Sequence, residues 1–141
     1  IAPGQEPRLA LLIRHNIVDL LAECGRFLEA EQAARLAAPW YRRFPDGRIK
    51  GRRLWVEGKI ARGLGKLSQA EALFLEARDG FLVEGIPFET GLVSLDLALL
   101  YAQQRRMTEL RRLAAELVPI FVWGQNPREA LAALAIFQQA V

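Results

Sequence analysis

Cysteine, histidine and methionine each occur once in this chain of 141 residues. A single cysteine, Cys24, excludes an internal disulfide and suits a reducing cytosol. His15 and Cys24 lie nine residues apart on one expected helix, nearly opposite on its wheel, which excludes a Cys–His dyad. The expectation is a small buried Cys and a partly exposed His. There is no HExxH motif, no paired Cys and no His cluster, so a metal has no ligand set. Gly63-Leu-Gly65 follows a helical pattern rather than a strand and lacks a third glycine, so it is no phosphate loop. The neighbouring carboxylates Glu29 and Glu31 point to different helix faces. We therefore expect no enzyme activity, no metal and no cofactor. No run of eighteen apolar residues exists to span a membrane. The start, IAPGQEPRL, has neither an initiator Met nor a signal-peptide layout. A cytoplasmic protein is expected. There is no low-complexity stretch and no interdomain linker.

What the chain has is alanine, leucine and helical periodicity. Hydrophobic residues make up 52%, with few Thr, Ile or Val runs, which favours an all-α fold. At this length one domain with a buried core is expected. Residues 58–81, GKIARGLGKLSQAEALFLEARDGF, organise the rest. Leu54, Ala61 and Leu64 recur at helical spacing before Gly65, and Leu67, Ala70, Phe74, Ala77 and Phe81 do so after it. Gly65 can take the left-handed conformation that ends a helix. Ser68 is placed to cap the next helix, with Glu71 as its capping-box partner. Two helices joined by a tight turn follow.

A shift of forty residues brings the unit onto itself. Gly65 falls on Gly25 and Arg105, Ala70 on Ala30 and Leu110, and Phe81 on Tyr41 and Phe121. Ile60 falls on Leu20 and Leu100, Leu67 on Phe27 and Met107, and Ala77 on Ala37 and Leu117. Pro87 falls on Pro7 and Pro127, with Gly47 breaking the series; proline is tolerated in a first helical turn. The units run over about 7–46, 47–86 and 87–126, with a partial fourth at 127–141. Val141 falls in mid-helix, so a fragment of a longer protein is expected. The expected helices span about 7–24, 28–43 (bent near Pro39), 48–64, 68–84, 87–104, 108–123 (with Pro119 as a kink or early stop) and 127 onward. Phe44-Pro-Asp-Gly47 is loop chemistry throughout.

Gly58, Gly65, Ala70, Phe74 and Ala77 follow one another at spacings of 7, 5, 4 and 3. This resembles the tetratricopeptide repeat, whose consensus has Gly, Gly, Ala, Phe and Ala at those intervals. Unit two matches best. Unit one keeps Gly25, Ala30 and Ala37 but has Val18 and Ala34. Unit three keeps Ala98 and Tyr101 but has Arg105 and Leu110. The family's period is about 34 rather than forty, its early Trp is displaced to Trp55, and its closing Pro is missing. Armadillo or HEAT-like pairs are the alternative architecture. The resemblance implies an α-solenoid of antiparallel hairpins, about seven helices in a right-handed superhelix. It further implies a concave groove lined by the first helix of each unit. Carried over, the groove positions are Leu12, His15, Asp19 and Ala22; Arg52, Trp55, Lys59 and Arg62; and Leu92, Leu95, Leu99 and Ala102. The candidate peptide-binding residues are Arg52, Trp55, Lys59, Arg62, His15, Asp19, Leu95 and Leu99.

Charge is unevenly spread. Residues 40–66 hold Arg42, Arg43, Arg48, Lys50, Arg52, Arg53, Lys59, Arg62 and Lys66 against only Asp46 and Glu57, a local charge of +7 in a chain of +3. Such a band suits an acidic protein segment or nucleic acid, or is an ordinary solvated face. Arg52, Trp55, Lys59 and Arg62 share one broad helix face, an aromatic platform ringed by cations. The expected function is a non-catalytic module that binds a protein or peptide partner, one with an acidic group beside an apolar anchor. The LDLALLY and LVPIF segments look like helical arrays of bacterial regulators, so a second reading is a sensing domain that signals to other domains of the parent chain. A third is a nucleic-acid-binding helical repeat.

Overall fold

A computed structural model describes residues 5–123 and 128. Among them are six helices and no strand: α1 (Gln5–Glu23), α2 (Phe27–Arg42), α3 (Gly47–Gly63), α4 (Leu67–Val83), α5 (Pro87–Gln103) and α6 (Met107–Trp123). The expected helix from 127 onward lies outside the described residues. Each helix packs on the next, and α1 also meets α3 as α3 meets α5. Among the described residues no even-numbered helix packs on another even one. The odd helices therefore form one row, with α2 and α4 each packed against two successive odd helices.

Four of the five connections use one device. After α1, α4, α3 and α5 the chain turns through Gly25 (φ 76°), Gly85 (φ 69°), Gly65 (φ 78°) and Arg105 (φ 57°). At each turn the next N–H reaches back five residues to a carbonyl of the ending helix. The pairs are Arg26 to Leu21, Lys66 to Ala61, Ile86 to Phe81 and Arg106 to Tyr101, all at 2.8–3.0 Å. The turning residue itself bonds three back, as Gly65 does to Arg62. This is the Schellman closure that satisfies orphan carbonyls. Arg105 completes the same geometry without glycine, so its turn is strained rather than different in shape.

The closure is so short that α4 begins at Leu67. Its N-cap is Lys66, without a side-chain cap hydrogen bond. The capping box read from Ser68 and Glu71 does not form: Ser68 is already the second helical residue, and Glu71 accepts from Arg106 Nη1 at 2.8 Å. The one longer connection, after α2, is closed by Asp46, whose carboxylate accepts from the Ile49 N–H at 3.0 Å. That cap starts α3 where the proline series is broken by Gly47. Pro87 is at the first turn of α5, whereas Pro7 is the third residue of α1. Pro39 and Pro119 lie inside α2 and α6, which run on past them.

Buried positions follow the forty-residue register. Ala30, Ala70 and Leu110 are buried, as are Ala37, Ala77 and Leu117, and Val18 and Ala98 beside the buried Gly58. Hairpin α3–α4 is the most intimate pair. A Cβ on Gly58 would sit 2.6 Å from Phe74 Cε1, and one on Gly51 2.6 Å from Phe81 Cε1. Two glycines seven apart on α3 thus receive two phenylalanines seven apart on α4. In the first hairpin the sizes invert: Val18 fills the position of Gly58, and Ala34, in the place of Phe74, packs against the cluster that Val18 belongs to. Volume is conserved across the pair while its owner changes.

Candidate partner-binding groove

The row of odd helices carries an open groove of about 450 Å³, lined by Leu12, His15 and Asp19 of α1, Arg52, Trp55 and Lys59 of α3, and Phe88 and Glu89 of α5. Five of the eight candidate residues, His15, Asp19, Arg52, Trp55 and Lys59, meet there. Arg62 lies one turn beyond Lys59. Leu95 is half-buried against the main core, and Leu99 is exposed on α5 outside the groove lining.

The cations are not bare. Arg52 and Arg48 both bond the Glu89 carboxylate, at 3.1 and 2.7 Å. Lys59 Nζ donates to Asp19 at 3.2 Å and to Glu23 at 2.9 Å. Arg62 donates to Asp96 Oδ1 at 3.2 Å, and the Trp55 indole N–H donates to Asp96 Oδ2 at 2.7 Å. Four cations of α3 thus meet four carboxylates of α1 and α5. The expected ring of free cations around Trp55 is instead a neutralised network. Its physical reason lies in burial: a half-desolvated charge is held only if paired. Glu89 is nearly buried. Burial alone raises its carboxyl, but hydrogen bonds from Arg52 and Arg48 outweigh this and hold it below the ordinary value. Burial likewise opposes the charge of Lys59, and Glu23 and Asp19 override it, so its ammonium is held above the ordinary value.

Trp55 packs inward and faces the groove at once. Its ring meets Phe81 edge-on, centroids 6.2 Å apart, while Lys59 Nζ lies 4.7 Å above it. His15 Nδ1 is 2.7 Å from the Tyr41 hydroxyl. Burial, reinforced by Arg52 and Lys59 against Asp19, keeps the imidazole below its ordinary value; burial also pushes the Tyr41 phenol up. Cys24, expected to be buried, is exposed, because α1 ends at Glu23 and leaves it in the turn. Among the described residues no cluster of His, Cys, Asp or Glu is arranged to hold a metal, and no helix is long and apolar enough to cross a membrane.

Glu89 and Asp96 were not candidates from the sequence. The signal was present: Arg48 to Glu89 and Trp55 to Asp96 are both 41 residues apart, and Lys59 to Asp19 is 40. Each link ties one unit to the next, so a carboxylate one repeat away from a groove cation marks its partner.

Compared with known proteins, the chain matches no family model, no curated protein and no solved structure.

Proposed function

We propose that this chain is a non-catalytic helical-repeat module, of the right-handed solenoid type that the tetratricopeptide repeat typifies, and that the groove of its odd helices binds a protein partner. The observation that carries the reading is the groove itself. It crosses three successive odd helices, has Trp55 at its centre, and leaves Leu12 and Phe88 about half exposed at its edges. An aromatic beside apolar anchors, rimmed by satisfied ion pairs, is the composition of a recognition surface.

Neutralisation of α3 changes the expected ligand. An acidic peptide would have to displace Glu89, Asp96 or Asp19, so bulk attraction is weak. The favoured occupant is an amphipathic segment whose apolar side chains seat beside Trp55 and whose few polar groups join the existing network. The same pairing weakens the nucleic-acid reading, since four of the six cations of α3 already meet carboxylates of α1 and α5.

The test is selection of binders from a peptide-display library on the 141-residue chain. Bound peptides should share an apolar or aromatic anchor and shift the Trp55 indole N–H resonance. Selected peptides that leave this resonance unmoved and perturb the even helices would refute the proposal.

A further inference from the structure

The outer face of α1 bears a row of aliphatics that stand in water. Ile13, Ile17 and Leu20 are 50%, 49% and 65% exposed. Forty residues on, Leu20 becomes Ile60, which is 4% exposed; eighty residues on, the three become Val93, Leu97 and Leu100, which are 0%, 2% and 0% exposed. Position and chemistry are the same, and only burial differs.

The difference has an identifiable source. α5 is covered by α6 on one side and by α4 and α3 on the other. α1 has the counterpart of α6, namely α2, and its three aliphatics remain exposed. What it lacks is the counterpart of α4, the second helix of a preceding hairpin. Unit two shows the same contact: Arg53, in the place of Ile13, lies with its guanidinium 5.2 Å from the ring centre of Tyr41 on α2. The face continues onto α2, where Ile17 and Leu36 line one shallow groove with Trp40. Leu36 is exposed and stands where units two and three have Glu76 and Glu116. A terminal repeat built to face solvent carries polar residues there.

We infer that the outer face of α1 is the docking surface for the second helix of a further hairpin of this same repeat, laid antiparallel along α1 as α4 lies along α5. The occupant's chemistry follows from α4, which presents small and aromatic side chains, Ala70, Phe74, Ala77 and Phe81, to the core it shares with Val93, Leu97 and Leu100. This inference stands apart from the groove on the odd helices.

The experiment uses the chain's own hairpin as the probe. A second copy of residues 47–86 is joined ahead of Pro7, which is in register with Pro87, so that the natural α4–α5 junction is reproduced. The extended chain should melt in one transition, several degrees above the 141-residue chain. Ile17→Glu should leave the Tm of the 141-residue chain within about 1 °C yet lower that of the extended chain by about 4 °C or more; Ile13→Glu should repeat the pattern. Three results would overturn the inference: silence of Ile17→Glu and Ile13→Glu in both chains; removal of the added hairpin by a protease that spares the rest; or sedimentation of the 141-residue chain as a dimer that Ile17→Glu makes monomeric, which assigns the face to a second copy.

Discussion

The Trp55 indole on α3 donates to Asp96 Oδ2 on α5 at 2.7 Å, and the other oxygen of the same carboxylate accepts from Arg62 at 3.2 Å. One carboxylate therefore fixes both the aromatic that lines the groove and a cation, Arg62, beyond it. Asp96→Ala strands a half-buried N–H and a half-buried guanidinium. It should cost about 1–3 kcal/mol in urea denaturation. Asp96→Asn keeps an acceptor for the indole and should cost less. Equal losses in the two variants would show that the indole bond contributes nothing.

Phe74 is fully buried and its ring fills the space above Gly58. Phe74→Ala should cost about 3–5 kcal/mol, and Gly58→Ala about 1–3 kcal/mol by overpacking. Glu76, exposed nearby, should be silent to Ala. Arg78, which sequence spacing alone would make equally silent, is not expected to be: it donates to Ser94 Oγ at 2.9 Å and to Glu116 at 2.7 Å. Denaturation midpoints of the four variants give the order directly.

Gly65 and Arg105 occupy the same left-handed turn position. Gly65→Ala should destabilise by about 1 kcal/mol or more, and Arg105→Gly should stabilise by up to about 1 kcal/mol. Calorimetric Tm shifts of opposite sign are the expected readout. Shifts of the same sign would mean that backbone strain is not what distinguishes the two turns.

Most of the architecture was legible because it is written in local chemistry and repeated. Gly25, Gly65, Phe74 and Phe81 each announce a turn or a core position, and the register multiplies the signal. The cap was misplaced because Ser68 and Glu71 fit a capping box, yet the Schellman closure ends two residues earlier and leaves them inside α4. The candidate groove was half legible. The resemblance to the tetratricopeptide repeat implied a common face for His15, Asp19, Arg52, Trp55 and Lys59. Glu89 and Asp96 were missed although each stands 41 residues from its partner, Arg48 or Trp55, because the resemblance names the positions that face the groove and not the carboxylates of the next unit that pair with them.

Glu89 ties the network to pH. Its carboxyl is held below the ordinary value in the fold, so its ion pairs contribute stability above the carboxylate range. That contribution is lost as pH falls through the ordinary value towards the folded one. The stability gap between the native chain and Glu89→Gln should be widest near neutral pH and narrow in acid. Urea midpoints taken across the acid range check this; a gap that widens in acid would contradict it.

The most direct measurement of the central claim is the affinity of a library-selected peptide for surface variants of the groove. Charge reversal at Arg52 or Lys59 would break pairs to Glu89 or Asp19 and confuse folding with binding. Leu12 avoids this, being exposed at the groove edge. Leu12→Asp should weaken binding tenfold or more, about 1.4 kcal/mol, with the fold intact by circular dichroism. Val83→Asp, at a highly exposed position on α4, should bind as the native chain does. Unchanged affinity for Leu12→Asp, or a loss only with Val83→Asp, would contradict the assignment of the odd-helix groove as the partner-binding surface.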